Sequence, residues 1–221
     1  MVVPDAVKKA LDESPVVAVL TMDRPDDAPP LAAALREGGI RAIELTLRTP
    51  RALDALRALA AAEPSLLCGA GTVLTPEQAR QVRAAGAAFA VSPGLNPNTV
   101  RAAIDAGLPF LPGVCTPSDI ERALELGCAW MKYFPAETSG GLAHLRAMAA
   151  PYVHLGVRFI PLGGVNESNV ADYLREPLVA AVGGSWLASK ADLAARRWGA
   201  IRDAARRAVG LAASVRTPAG A

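Results

Sequence analysis

A Thr-Pro or Asn-Pro pair recurs through the first half of the chain, at Thr49-Pro50, Thr75-Pro76, Asn96-Pro97 and Thr116-Pro117. Each pair precedes a stretch with helical character. The Thr or Asn oxygen can accept from an early helical N–H, and Pro fits the first helical position, where its missing N–H would have no partner. Glycines close these stretches at Gly86, Gly107 and Gly127, and Gly38-Gly39 does the same one unit earlier. Glycine tolerates the left-handed backbone of a helix C-terminus. A short apolar run follows each glycine, at residues 40–45, 87–91, 108–111 and 129–134. Strand, cap, helix, glycine, strand is a βα repeat, and the even apolarity of the runs predicts parallel strands covered on both faces.

Further strands are predicted at residues 16–20, 66–70, 157–161 and 179–182. Helices are expected at 26–37, 51–61, 76–85, 97–106, 117–126, 142–149, 166–174 and 190–209, with a short extra N-terminal helix at 5–13. About eight strands, each followed by a helix, predict an α/β protein of the (β/α)8 TIM barrel class. The 221 residues suit one such domain over 1–213, with 214–221 as a flexible tail. At 52% hydrophobic residues the chain can bury a large core. Thr75-Pro76, Gly86 and Phe89 match Thr116-Pro117, Gly127 and Trp130 at one constant offset, which holds two βα units. Equivalence of alternate strands is a barrel property. The rival, an open doubly wound sheet, should carry GxGxxG in its first βα turn. Gly69-Ala70-Gly71-Thr72 lacks the third glycine and lies in a later unit.

Twenty-three Lys+Arg against 21 Asp+Glu leave a net charge of +2, too balanced for a nucleic-acid or anionic-membrane partner. Aromatics at 5% argue against a stacking surface for single strands. No apolar run approaches the roughly 20 residues of a membrane span, and the N-terminus shows no signal-peptide core. Cys68, Cys115 and Cys128 are odd in number and lack CxxC spacing, so they are expected as reduced thiols in the cytoplasm. His144 and His154 stand in no ligand pattern, and no metal site is expected.

In a barrel of this kind, function sits at the C-terminal ends of the strands. Glu44, Thr46 and Arg48 alternate along one side of the second strand. They can form a structural Glu44–Arg48 ion pair, or a proton-transfer carboxylate beside an anion-binding arginine. Lys132 interrupts the apolar sixth strand, where an ammonium ion is costly to bury. It can snorkel to the mouth or pair with Glu44. As a neutral amine it would attack a carbonyl carbon and form a Schiff base. Phe134 shares its side of the strand. Gly163-Gly164 and Gly183-Gly184-Ser185 each lie between a strand and a helical stretch. They can be tight turns alone, or backbone N–H sites for a phosphate. Gly71-Thr72, Ser92-Pro93-Gly94 and Pro112-Gly113 make a rim with few bulky side chains, suited to a small-molecule pocket.

The stretches IELTLRTP, GAGTVLTPEQ, FAVSPG, PGVCTPSD, KYFPAE, GGVNESN and VGGSWL, in this order over about residues 15–209, resemble the bacterial 2-keto-3-deoxy-6-phosphogluconate (KDPG)/4-hydroxy-2-oxoglutarate aldolases. The resemblance implies a class I, Schiff-base aldolase on a (β/α)8 barrel. It implies a homotrimer with no metal or other cofactor, acting on a phosphorylated 2-keto acid. It assigns the Schiff base to Lys132, acid/base work to Glu44 and the pyruvyl carboxylate to Arg48. Thr72, Pro93 and Phe134 would line the pyruvate pocket, and Gly163, Gly164, Gly184 and Ser185 would bind phosphate. One position departs. Gluconate-type members read Pro-Thr-Gly-Gly where this chain has Pro161-Leu162-Gly163-Gly164. Related enzymes for the galactonate epimer (KDPGal) carry an apolar residue there, so the resemblance allows KDPG, KDPGal or both as substrates.

Overall fold

A computed structural model describes residues 3–216. Helix α1 (Asp5–Glu13) precedes the repeat, which begins with β1 (Val16–Leu20), α2 (Ala28–Glu37), β2 (Ala42–Thr46), α3 (Ala52–Ala62) and β3 (Leu67–Gly71). It continues through α4 (Pro76–Ala84), β4 (Phe89–Val91), α5 (Pro97–Asp105), β5 (Phe110–Leu111), β6 (Gly113–Val114) and α6 (Pro117–Glu125). The last units are β7 (Trp130–Tyr133), α7 (Gly141–Ala149), β8 (Arg158–Pro161), α8 (Val170–Arg175), β9 (Val182–Gly184), α9 (Lys190–Ala194) and α10 (Trp198–Val215).

All paired strands are parallel, in the orders β5-β4-β3-β2-β1-β9 and β6-β7-β8. Two joints close these arrays into a ring. The fifth strand position is interrupted at Pro112, so β5 pairs with β4 while β6 pairs with β7. Proline has no N–H for a ladder, yet its carbonyl still accepts from the Lys132 N–H at 2.9 Å. At the other joint, Phe159 of β8 exchanges 2.8 Å bonds with Leu178 and Ala180, just before β9. The fold is the (β/α)8 barrel that the repeat predicts, with its fifth strand in two pieces.

The caps explain the regularity. Thr75, Asn96 and Thr116 each accept a backbone N–H of the following helix, and Asp119 completes a capping box with Thr116. Thr49 breaks the pattern. Its hydroxyl donates to the Met22 carbonyl at 2.6 Å, and α3 starts later, at Ala52. Helix α8 also starts late, because the Asn166 and Asn169 side-chain amides bind the Gly164 carbonyl and hold 166–169 as a turn. The helix expected at 190–209 is two helices, divided where Arg196 takes φ +53°. Ser214, expected to begin a flexible tail, is still helical. Ser214 and Val215 belong to α10, and Arg216 donates to the carbonyls of Val179 and Ala180. Residues 217–221 lie outside the described residues.

Leu31, Leu35, Leu56, Leu59 and Phe159 pack between the barrel and its helices. A second cluster fills the barrel interior with Val17, Phe89, Val91, Leu111, Ile160 and Leu162. Val7 and Leu11 of α1 join that cluster, at about 1.5–3 kcal/mol for each fully buried side chain. Among the described residues no helix is long and apolar enough to cross a membrane.

Candidate active site

Glu44 and Lys132 are 2% and 3% exposed, in the middle of β2 and of β7. They meet across the barrel. The Lys132 ammonium donates to Glu44 Oε1 at 3.0 Å. Of the pairings left open above, Glu44 therefore takes Lys132 and not Arg48. Two missing side chains make room. A Cβ on Gly71 would stand 2.1 Å from Glu44 Oε1, and one on Gly69 would stand 2.3 Å from the Phe89 ring. The first and last residues of Gly69-Ala70-Gly71 are thus glycine for packing in the barrel interior.

Lys132 also borders a cavity of about 670 Å³ at the C-terminal end of the barrel. Phe134 and Leu162 border it beside the lysine, and the lysine nitrogen lies 5.2 Å from the Phe134 ring centre. Thr46 and Arg48 line the same cavity, as do Gly163, Gly164, Gly184 and Ser185. Glu44 lines instead a void of about 20 Å³ shared with Lys132 and Leu162. The carboxylate reaches the cavity through the lysine it holds.

Thr72 and Pro93 do not line the cavity. Thr72 acts on it through Arg48, whose Nε donates to the Thr72 hydroxyl at 3.0 Å. Thr72 takes φ +59°, a strained conformation for a β-branched residue and one that aims the hydroxyl at the guanidinium. Pro93 borders a separate hollow with Leu74 and Asn96. Its carbonyl oxygen sits 2.2 Å from where a Cβ on Gly113 would fall, which requires glycine at the start of β6.

Sequence reasoning assigned no binding role to Trp186 or Lys190, and both line the cavity. The indole crosses Gly184 so closely that a Cβ there would lie 1.4 Å from the ring. The glycine before Ser185 thus serves the tryptophan as well as the loop. A Trp directly after Gly-Gly-Ser is the signal that could have found this contact. Lys190, the first residue of α9, carried no signal, because a lysine opening a surface helix is ordinary.

The tyrosines around the site face the helix layer. Tyr133 follows Lys132, and its hydroxyl donates to the Gly141 carbonyl at 3.2 Å. Burial, followed by the nearby Cys115 and Glu137, pushes its phenol up to about 12. It therefore stays neutral through the physiological range. Burial likewise pushes the Cys68 thiol up to about 11, which keeps it inert. His144 is half-buried, stacks on Tyr133 and bonds the Cys115 carbonyl at 2.9 Å, away from the cavity. Among the described residues no group of three or more His, Cys, Asp or Glu is placed to hold a metal.

A buried lysine paired with a carboxylate, between an arginine and two glycine loops, suits Schiff-base chemistry on a doubly anionic ligand. The sequence pattern of KDPG and KHG aldolases matches residues 7–204. The chain belongs to this aldolase family. Its members are lyases that act on a carbon–carbon bond. The chain is 48% identical to the 2-dehydro-3-deoxy-phosphogluconate aldolase of Treponema pallidum, over 85% of this chain and 88% of that one. It is 42% identical to the KHG/KDPG aldolase of Escherichia coli K12, over 92% and 95% of the two chains. Among solved structures, it resembles the KDPG aldolase of Legionella pneumophila with pyruvate captured as a covalent carbinolamine. The TM-score is 0.87 and the identity 39%, over 91% of this chain and 97% of that one.

Proposed function

We propose that this aldolase cleaves KDPG to pyruvate and glyceraldehyde 3-phosphate through a Schiff base on Lys132, and that it also accepts 4-hydroxy-2-oxoglutarate. The observation that carries the reading is the buried Lys132–Glu44 pair, 3.0 Å apart at the edge of the cavity. The proton that the lysine must lose to become a nucleophile already lies on a hydrogen bond to a carboxylate.

Arg48 takes the substrate carboxylate, and the backbone N–H groups of the glycine loops take the distal phosphate. Held at both ends, the C2 ketone is presented to Lys132. The amine attacks C2, a C–N bond forms, and the former carbonyl oxygen takes a proton to give the carbinolamine. Glu44 returns a proton to that hydroxyl, which leaves as water, and the protonated imine results. Glu44 then takes the C4 hydroxyl proton, directly or through a water. The C3–C4 electron pair moves into the imine, leaving an enamine, and glyceraldehyde 3-phosphate departs. Protonation at C3 and addition of water to the imine release pyruvate and the free amine. No step requires a cofactor. The enzyme is assigned to the cytoplasm as a homotrimer, in keeping with the family pattern and its three unpaired cysteines.

Sodium borohydride added with pyruvate tests the central step. Reduction of the imine is expected to leave a pyruvyl adduct on the peptide containing Lys132, read by mass spectrometry. An adduct on Lys190 instead, or none, would overturn the assignment.

Leu162 favours a second reading, in which both epimers at C4 are substrates. The side chain is 5% exposed and borders both the cavity and the void beside Glu44. The side chain packs with the cluster that fills the barrel interior. It also explains Gly183, where a Cβ would lie 2.6 Å from Leu162. A leucine cannot pair with a substrate hydroxyl, so discrimination through it rests on shape, worth about 1–3 kcal/mol. Steady-state kinetics should show turnover of both KDPG and KDPGal, and Leu162→Thr should shift the kcat/KM ratio toward KDPG. Because the position is buried, that substitution should also lower stability by about 1–3 kcal/mol. A wild-type preference for KDPG above about 10³-fold would show that another polar group reads the hydroxyl.

A further inference from the structure

The Gly163-Gly164 loop is held by its carbonyls. The Leu162 carbonyl accepts from the Ala136 N–H at 2.7 Å, and that of Gly163 accepts from the Glu137 N–H at 3.0 Å. The Gly164 carbonyl accepts from the amides of Asn166 and Asn169, at 2.9 and 3.2 Å. In a trans peptide the N–H points opposite to the carbonyl. The N–H groups of Gly163, Gly164 and Val165 are therefore turned away from these partners, and no acceptor among the described residues takes them. All three residues line the cavity. Two of the three carbonyl anchors come from the segment that follows Lys132, so the loop and the reactive lysine share one piece of chain.

The Glu137 side chain bears on the same loop. Its Cβ and Cγ fill the space where a Gly164 Cβ would lie, at 2.5 Å. Its carboxylate accepts from the Tyr173 hydroxyl. Tyr173 is buried on α8, the helix that leaves the loop. Gly141 leaves room for the pair, since a Cβ there would stand 3.3 Å from Glu137 Oε1 and 3.6 Å from the Tyr173 hydroxyl. Glu137 is thus braced between Gly164 and α8. The bond also restrains a negative charge. Released, the Glu137 carboxylate could swing toward the loop and oppose an anion there.

We propose that Glu137 and Tyr173 are positioning residues for the substrate's distal anion. Their hydrogen bond sets the Gly163-Gly164 loop with its N–H groups free and keeps the Glu137 charge away from it. The proposal deepens the aldolase reading and rests on its placement of the distal anion, so one measurement is chosen to be independent of catalysis. Inorganic phosphate is titrated calorimetrically into wild type, Tyr173→Phe, Glu137→Gln and Glu137→Ala. Losing one hydrogen bond should weaken phosphate binding about fivefold in Tyr173→Phe and in Glu137→Ala. Glu137→Gln, whose amide oxygen can still accept from Tyr173, should bind as wild type does.

In kinetics with KDPG, the two weakened variants should show KM raised about fivefold with kcat little changed. Adduct formation with pyruvate, which has no distal group, should be untouched. Unchanged phosphate affinity in folded Tyr173→Phe and Glu137→Ala overturns the proposal, as does an equal loss of pyruvate adduct formation in both. If Tyr173→Phe does not fold, the exposed Glu137 pair of variants decides alone. Failure of the wild type to form any pyruvate adduct would instead strike the aldolase reading, and the phosphate titration would still decide the role of Glu137 and Tyr173.

Discussion

Lys132→Ala is expected to lose cleavage altogether, because the amine is a reactant in the proposed imine chemistry. It should also lose stability. Glu44 is 2% exposed, and Lys132 is its partner. Removing one member of a buried pair leaves the other charge uncompensated, at a cost of about 3–5 kcal/mol. The position therefore carries both chemistry and folding energy, and the two separate in a double variant. Lys132→Met combined with Glu44→Gln removes both charges with little change in volume. It should recover much of the lost stability in denaturant melts while remaining inactive. Recovery of cleavage in any variant without an amine at 132 would end the Schiff-base account.

Glu44→Gln should lower kcat by about 10²–10⁴, the range for loss of a general acid/base. The substitution preserves shape, which matters because Gly71 leaves Glu44 only the space it occupies. The amide oxygen can still accept from Lys132, so the fold should be retained at a stability cost below that of Lys132→Ala, which leaves its partner with neither counter-charge nor hydrogen bond. Burst kinetics with pyruvate should show slow carbinolamine and imine formation, with substrate affinity much less affected. Full activity in Glu44→Gln would reduce the carboxylate to a counter-ion.

The repeat was legible because its signals are local. A Thr or Asn before Pro caps a helix through its own neighbours, as at Thr75, Asn96 and Thr116. Thr49 carries the same signal and does not cap, because its hydroxyl finds Met22, and sequence spacing does not record that contact. Glu44 and Lys132 stood out because charged residues in apolar runs require a reason. Which partner each would choose was not legible. Alternation puts Glu44 and Arg48 on one side of a strand, but barrel closure brings β7 to within a hydrogen bond of β2. Thr72 and Pro93 follow the same logic. Both lie at strand ends, yet one acts through Arg48 and the other faces a different hollow. The break at Arg196 had no signal at all, since a positive φ at arginine is imposed by packing and not by propensity.

That break divides the final unit of the barrel into parts with different duties. Helix α10 presents Ile201, Ala205, Ala208 and Ala212 to the core, and Arg216 at its end ties down the strand entry at Val179 and Ala180. Helix α9 buries only Leu193, while Lys190 and Leu193 border the cavity. Change at most positions of α9 therefore falls outside the closure of the barrel, where surface substitutions shift stability by no more than about 0.5 kcal/mol. Divergence in substrate preference can proceed on this short wall while the long helix preserves foldability, so the two histories can be written into adjacent residues without interfering.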